Sequence, residues 1–269
     1  MRIYFDDYGD REWFRLQDSP REQVDFYIHN HYLRKYIHSG EKILEISAGP
    51  GRFTIELAKI GAKICVGDIS SNQLQLNEEK VKTAGYEDSI IWRKQLDIVD
   101  LSELADNEFE STVCYGGPIS YVFDKAPQAI TELLRVTKSK NHVLITVMSH
   151  LGSLQLFLGA VYKHSLNDGL ECVEKLIQDG DVIGKLASSG LYCHMFRWSE
   201  FKSLLENFDC DIVSASASHY LSNVQQDIIE KFYVHPKMWE IFLDWELDLS
   251  KEEGAIDGGM HIIVVLQKH

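Results

Sequence analysis

The alternation of short β-type runs with helical segments between residues 43 and 148 constrains the fold more than any other feature. The β-type runs lie at 43–46, 63–66, 90–91, 109–114 and 142–148, and helical patterns at 52–60, 71–84 and 125–136 separate them. Strands joined by single helices imply right-handed crossovers and parallel pairing. Further β-type runs at 210–218 and 260–266 follow. The sequence therefore predicts an α/β fold with a mostly parallel sheet and helices on both faces.

Composition limits the classes of protein that the chain can belong to. It has 27 Lys and Arg against 41 Asp and Glu, a formal charge of −14. This balance disfavours nucleic acid as a partner, because an acidic surface repels the backbone phosphates that clustered Lys and Arg attract. The longest apolar run, 262–266, is much shorter than the ~20 residues of a membrane span. Acidic residues occupy the position of a secretory signal, so we expect a cytoplasmic protein without a membrane partner. Five cysteines without a C-x-x-C pair indicate neither disulfides nor a zinc site.

The segment 43–54 combines a β-type run, a Gly-Pro-Gly turn and the start of a helix. Gly49 and Gly51 lack a Cβ, so the backbone can turn sharply and a ligand can approach it, while free N–H groups at the helix start favour a polar ligand. A dinucleotide fingerprint needs two further glycines, where this chain has Ser47 and Arg52. The turn therefore predicts a ligand site that differs from a nicotinamide or flavin site.

This turn resembles motif I of the class I S-adenosylmethionine-dependent methyltransferases, which has the form E/D-x-G-x-G-x-G. Glu45 holds the acidic position, and Ser47 replaces the first glycine. That replacement matters little if Ser47 has an ordinary backbone conformation but is costly if φ is positive. Asp68 follows Glu45 by 23 residues at the end of the next β-type run, where a carboxylate can accept hydrogen bonds from ribose hydroxyls. The resemblance implies a Rossmann-like, seven-stranded, mostly parallel sheet whose last strand is antiparallel.

Two later segments follow the order of motifs in the same family. Residues 95–98 are similar to the motif whose acid, here Asp97, accepts from the adenine amino group, and 113–121 resemble the fourth-strand end that lines the methionine part. The resemblance implies S-adenosyl-L-methionine as the cofactor. It also implies a set of cofactor-binding residues, namely Arg15, Glu45, Ser47, Gly49, Gly51, Asp68, Ile69, Gln73, Leu96, Asp97, Ile98, Tyr115 and Gly116.

The N-terminal residues narrow the resemblance to bacterial small-molecule methyltransferases with an N-terminal extension. Tyr8, Glu12, the segment 14–16 and the segment 116–121 are similar to patterns common there. The resemblance implies an N-terminal lid helix, from which Arg15 pairs with the cofactor carboxylate. We expect one domain over 1–269, divided into a helical lid at 1–40, a cofactor-binding half at 41–150, a helical insertion at 151–190 and the C-terminal half of the sheet at 191–269.

The reaction expected from this family is in-line transfer of the sulfonium methyl group to a small-molecule acceptor. His150, His194 and Tyr192 fall at positions that face the acceptor in such folds, so they are the candidate catalytic residues. A general base is needed only when the acceptor begins protonated. The eleven histidines show no metal-binding spacing, so we expect no metal. The segment Tyr115-Gly-Gly-Pro118 replaces the Pro-Pro-aromatic signature of enzymes that methylate DNA amines or glutamine.

The sequence is compatible with two other functions. Ser47 and the insertion are compatible with a non-catalytic cofactor-binding or interaction protein. A protein or RNA methyltransferase could use the insertion or the helical segment 224–250 for recognition. A homodimer is a further expectation.

Overall fold

The computed structural model describes residues 1–15 and 19–269. Leu16, part of the N-terminal similarity, lies outside the described residues. The helices are α1 (Arg2–Tyr8), α2 (Arg11–Phe14), α3 (Pro20–Tyr36), α4 (Arg52–Ile60), α5 (Ser71–Thr83), α6 (Ala126–Val136), α7 (His150–Leu156), α8 (Leu158–Asp168), α9 (Leu170–Asp179), α10 (Trp198–Leu205), α11 (Gln226–Tyr233) and α12 (Pro236–Leu249). The strands are β1 (Lys42–Ile46), β2 (Lys63–Asp68), β3 (Ile90–Gln95), β4 (Ser111–Cys114), β5 (His142–Met148), β6 (Asp181–Val182), β7 (Cys193–His194), β8 (Cys210–Ala217) and β9 (His261–Lys268).

Seven strands form the main sheet in the order β3-β2-β1-β4-β5-β9-β8. Strands β1 to β5 pair in parallel, whereas β9 runs antiparallel to both β5 and β8. The pairing places His261, the first residue of β9, opposite Met148 at the end of β5. The predicted fold class, with a seven-stranded sheet and an antiparallel last strand, is confirmed.

Apolar layers cover both faces of the main sheet. On one face, Ile130 of α6 and Phe201 of α10 belong to a buried cluster with β-strand residues. On the other face, Ile28 of α3, Leu57 of α4 and Phe242 of α12 form a second cluster. Because helices fill both faces, a ligand can reach the sheet only at its edges and ends, and in open α/β sheets ligands bind at the carboxyl ends of the strands.

The N-terminal helices divide into two groups. Helix α3 buries Val24, Ile28 and Leu33 against the sheet, so it is part of the core. Helices α1 and α2 have no buried residues and lie over the strand ends. Within the predicted segment 1–40, the part that can act as a lid is therefore α1 and α2.

The segment predicted as an insertion contains the three helices α7, α8 and α9. It ends in β6, which pairs antiparallel with β7 and so forms a second, two-stranded sheet. Sequence periodicity predicted the helices but not this pairing, because β6 and β7 are each only two residues long. In the described part of the chain, no helix is long and apolar enough to cross a bilayer.

Candidate cofactor and acceptor site

A cavity of about 360 Å³ lies at the carboxyl ends of β1, β2 and β4. The turns that follow these strands supply most of its lining. Of the residues predicted to bind the cofactor, those that line this cavity are Ser47, Gly49, Asp68, Ile69, Gln73, Leu96, Asp97, Ile98, Tyr115 and Gly116. Residues far apart in the sequence meet here because parallel strands end at the same edge of the sheet.

The turn after β1 contains three residues in the left-handed backbone region. The φ angle is 60° at Ser47, 54° at Gly49 and 95° at Gly51. Ser47 therefore has the conformation in which replacement of glycine is costly, because its Cβ crowds the following carbonyl. Gly51 precedes α4 and does not line the cavity; a Cβ there would lie 3.1 Å from Asn77 Nδ2.

Asp68 links the turns after β1 and β2. Gly49 N–H donates to its Oδ2 and Ser70 N–H to its Oδ1, each at 2.9 Å. The side chain is buried, and burial raises the pKa of Asp68 to about 6. The carboxylate has further lone pairs toward the cavity, so it can accept hydrogen bonds from ligand hydroxyls.

Glu45 and Arg15 border a smaller adjoining cavity of about 40 Å³, which shares Ser47, Tyr115 and Gly116 with the main one. Thr54 Oγ1 donates to Glu45 Oε2 at 2.6 Å, and burial raises the pKa of Glu45 to about 8.

Arg15 Nε donates to Glu12 Oε1 at 2.7 Å. Burial opposes the charge on Arg15, but Glu12 and Asp25 outweigh it and raise the pKa of the guanidinium. Arg15 is therefore a retained positive charge beside the glycine turn.

The part of the main cavity that follows β3 combines apolar and acidic groups. Leu96 and Ile98 are buried, whereas Asp97 is exposed and its Oδ1 accepts from Val99 N–H at 3.1 Å. This environment suits a flat heterocycle with one polar edge. Tyr115 lies at the opposite end, where its buried hydroxyl lacks a hydrogen-bond partner among the described residues. A bound ligand could satisfy that group.

The N-terminal segment with helices α1 and α2 also lines the main cavity. The sequence predicted a lid here but not which residues of the lid line the cavity. Met1, Phe5 and Glu12 face the main cavity. Gln73 Nε2 donates to the carbonyl oxygens of Phe5 at 3.0 Å and Gly9 at 3.1 Å. Amphipathic patterning could not reveal these contacts, because they join a side chain of α5 to backbone atoms of another segment. Tyr121, within a segment quoted for its similarity, also lines the cavity.

The predicted catalytic residues separate into two places. Tyr192 lines the main cavity and is 41% exposed. His150 and His194 border a different surface cavity, together with Arg197 and Glu200. The structure therefore does not bring these two histidines to the main cavity, where Tyr192 lies.

The hydrogen bonds of the two histidines give the physical reason. His150 Nε2 donates to the Leu176 carbonyl at 2.7 Å, and Arg197 Nε donates to His150 Nδ1 at 3.3 Å. His194 lies 2.8 Å from a carboxylate oxygen at each ring nitrogen, those of Asp181 and Glu200. All four ring nitrogens are thus occupied by structural contacts. Within residues 1–15 and 19–269, no group of three or more His, Cys, Asp or Glu is arranged to hold a metal.

The residues around the main cavity fit S-adenosylmethionine. A left-handed turn exposes backbone at its floor, a buried acid stands where ribose hydroxyls would be held, and Arg15 offers a cation for a carboxylate. Leu96, Asp97 and Ile98 would hold the adenine. When bound, the cofactor supplies an activated methyl group on a sulfonium sulfur.

Residues 43–140 match the methyltransferase domain family. Among curated proteins, none matches the chain. Solved structures with the same fold include an S-adenosylmethionine-dependent methyltransferase from Methanosarcina mazei, 17% identical, with a TM-score of 0.59 over 88% of this chain and 96% of that one.

Two further structures show the range of proteins built on this fold. A candidate methyltransferase in complex with the Haloferax volcanii Trm112 methyltransferase activator is 15% identical, with a TM-score of 0.62 over 100% of this chain and 97% of that chain. The [4+2]-cyclase SpnF is 13% identical, with a TM-score of 0.54 over 92% and 81%. At these identities the likeness concerns the fold.

The domain match, strand order and fold agree: residues 43–140 carry a methyltransferase domain, and the whole chain has the fold of the class I S-adenosylmethionine-dependent methyltransferases. It is a methyltransferase whose cofactor is S-adenosyl-L-methionine.

Proposed function

We propose that this methyltransferase methylates a small-molecule acceptor and binds its cofactor through the residues that line the main cavity. The observation that carries the proposal is the cover over that cavity. Helices α1 and α2 place Phe5 and Glu12 on its lining. Asn72 and Gln73 of α5 hold α1 and the turn after it by donating to the backbone carbonyls of Asp6, Phe5 and Gly9. A covered cavity favours a small acceptor because a macromolecular chain needs an open groove.

Each cofactor group has a proposed partner in this site. Asp68 accepts from the ribose hydroxyls, Asp97 from the adenine amino group, and Arg15 pairs with the carboxylate. The turn from Ser47 to Gly49 lies along the cofactor. Tyr115 and Gly116 orient the methionine end, while the lid excludes water from it. Tyr192 remains the candidate that contacts the acceptor, because it lies on the cavity wall at an exposed position.

Calorimetric titration with S-adenosylhomocysteine tests the cofactor part. We expect wild-type binding at about 1 μM, roughly −8 kcal/mol, with a loss of at least about tenfold in Asp68→Asn. Affinity should fall below about pH 6, since the ionised carboxylate is the better acceptor and burial raises the pKa of Asp68 to about 6. Glu78→Gln, an exposed neutral substitution on the neighbouring α5, is the matched control. Equal affinity of Asp68→Asn and wild type at pH 7 would contradict the assignment of Asp68.

A protein acceptor or binding partner is the second candidate, and one observation favours it. Leu158, Tyr162 and Leu166 form a stripe on α8 at four-residue spacing, each at least 64% exposed. Incubation of a cell extract with labelled S-adenosylmethionine separates the two candidates. Label in small molecules alone supports the proposal, and label in a macromolecule overturns it. Sedimentation of the purified protein tests the expected homodimer.

We also propose that the protein acts in the cytoplasm. All five cysteines are unpaired, which suits a reducing compartment.

A further inference from the structure

A second cavity, of about 200 Å³, lies inside the insertion. Most of its walls come from α7, α8 and α9 and from the segment that follows them, which lie outside the cofactor-binding half. The lining is mainly aliphatic and includes Leu154, Val161, Leu176, Val182 and Leu186. Met148, the last residue of β5, forms its floor together with Met195.

The polar side chains at this cavity are occupied or uncharged. His164 Nδ1 lies 2.8 Å from Asp168 Oδ2, and Ser153 Oγ donates to the Met260 carbonyl at 3.4 Å. Burial raises the pKa of the Cys193 thiol to about 12, so this group is neutral near pH 7. The cavity therefore offers an apolar surface without a free charge. An apolar cavity of about 150 Å³ in another protein is large enough for benzene.

One side chain joins this cavity to the main one. Tyr121 lines the main cavity, and it also packs against the apolar cluster of Leu176, Cys193 and Met195. Its hydroxyl donates to the Gly116 carbonyl at 3.3 Å, a long hydrogen bond, and its ring meets Phe5 of the lid at a centroid distance of 5.7 Å. Residues that line the apolar cavity thus pack against a side chain that borders the methionine end of the proposed cofactor site.

We propose that this cavity binds the apolar part of the methyl acceptor, an uncharged group about the size of a substituted benzene ring. The proposal rests on the proposed function and names its substrate class. The acceptor's apolar part lies among α7, α8 and α9, and its nucleophilic atom extends past Tyr121 toward the methyl group. The insertion is then the specificity element of the enzyme, since it supplies the walls that select the acceptor.

Methionine-methyl NMR with toluene as the probe tests this directly. Two of the five methionines, Met148 and Met195, line the cavity, whereas Met238 is 47% exposed on α12. We expect toluene to shift the methyl signals of Met148 and Met195 saturably and to leave Met238 unchanged. Benzoate, which carries a charge, should produce no such shift. Absence of saturable toluene shifts in the wild type would overturn the proposal.

Cavity-filling variants locate the binding. Val161→Phe on α8 and Leu186→Phe in the segment after β6 each add volume to the lining. Both should weaken toluene binding at least about tenfold, because the larger side chain takes the space that the toluene ring would occupy. Leu158→Phe is the matched control, since Leu158 lies on the same helix but is 64% exposed. All three should bind S-adenosylhomocysteine like the wild type, which also shows that they fold. Toluene binding that survives both filling variants would overturn the assignment.

The acceptor is tested with the same variants. Any small acceptor found with labelled cofactor should lose at least about tenfold in kcat/KM in Val161→Phe, and not in Leu158→Phe, because only the first removes acceptor volume. If kcat/KM for that acceptor were unchanged in Val161→Phe, the proposal that the cavity binds the acceptor would be overturned. Failure of the wild type to bind S-adenosylhomocysteine would contradict the cofactor assignment instead, and the toluene result would show separately whether the cavity binds apolar ligands.

Discussion

Ser47 shows how one residue departs from a family pattern while the surrounding turn is kept. The motif has glycine where this chain has serine, and the backbone there is left-handed with φ of 60°. The sequence reveals the substitution, but only the structure reveals its cost. A non-glycine residue in this region costs roughly 1–2 kcal/mol, against about 0.5–1 kcal/mol for the greater backbone entropy that glycine loses on folding.

We therefore expect Ser47→Gly to stabilise the protein by up to about 1 kcal/mol, measured by urea unfolding. Gly51→Ala is the opposing control. It should destabilise by more than about 1 kcal/mol, because φ is 95° and the new Cβ would lie 3.1 Å from Asn77 Nδ2. If Ser47→Gly were clearly less stable than the wild type, the hydroxyl would have a role that outweighs the backbone strain.

At the scale of elements, His194 connects the insertion to the main sheet's helices. It lies on β7, and its two ring nitrogens contact Asp181 of β6 and Glu200 of α10. The hydrogen bond to Glu200, followed by that to Asp181, raises the pKa of His194 against the effect of burial. The imidazolium therefore has two carboxylate partners in the folded state and none fixed in the unfolded state.

A group whose pKa is raised by folding stabilises the folded state below its unfolded pKa, and this stabilisation is lost as pH rises through the folded pKa. We expect the hydrogen-exchange protection of β6 and β7, corrected for intrinsic rates, to decrease as pH rises above the ordinary histidine value of 6.5. His194→Gln should remove this pH dependence. His142→Gln is the control, because His142 is the first residue of β5 and lies outside β6 and β7. This variant should retain the pH dependence. A pH dependence that persists in His194→Gln would mean that another group causes it.

At the scale of the whole molecule, the lid over the main cavity is held by contacts of incompletely buried side chains and by hydrogen bonds to its backbone. Helices α1 and α2 bury no residue, whereas α3 is anchored in the core, so the cover can open without unfolding the sheet. Gln73 is a central anchor because its side chain joins both Phe5 and Gly9 to α5. We therefore expect cofactor exchange to require that these hydrogen bonds break.

Gln73→Ala should increase the dissociation rate of S-adenosylhomocysteine about tenfold and change the association rate less, as measured by stopped-flow displacement. Gln75→Ala is the control on the same helix, because Gln75 is exposed and contacts only Glu79 among the described hydrogen-bond partners. A dissociation rate that is equal in both variants would mean that the hydrogen bonds of Gln73 do not limit release.

The sequence alone was sufficient for the fold and for most positions that line the cavity. The hydrophobic period of a helix or strand is set by residues close together in the sequence, so it can be recognised without tertiary structure. Helix α4 accordingly begins at Arg52 and ends at Ile60, as its pattern predicts. Parallel topology then requires the ends of β1, β2 and β4 to meet, which brings Ser47, Asp68 and Tyr115 together. The mostly parallel sheet needed only local chemistry and the handedness of crossovers, whereas the number of strands and the set of cofactor residues came from the family resemblance.

Tertiary structure alone decided where long-range partners lie. His150 and His194 follow the expected strands, but their hydrogen-bond partners are Leu176 and Asp181 of the insertion and Glu200 of α10. No periodicity encodes how these segments pack together. The lid contacts of Gln73 and the apolar cavity behind Tyr121 arise in the same way, from surfaces that meet only after folding. Hydrophobic period specifies which face of an element is buried, whereas the partner of that face depends on the packing of the whole chain.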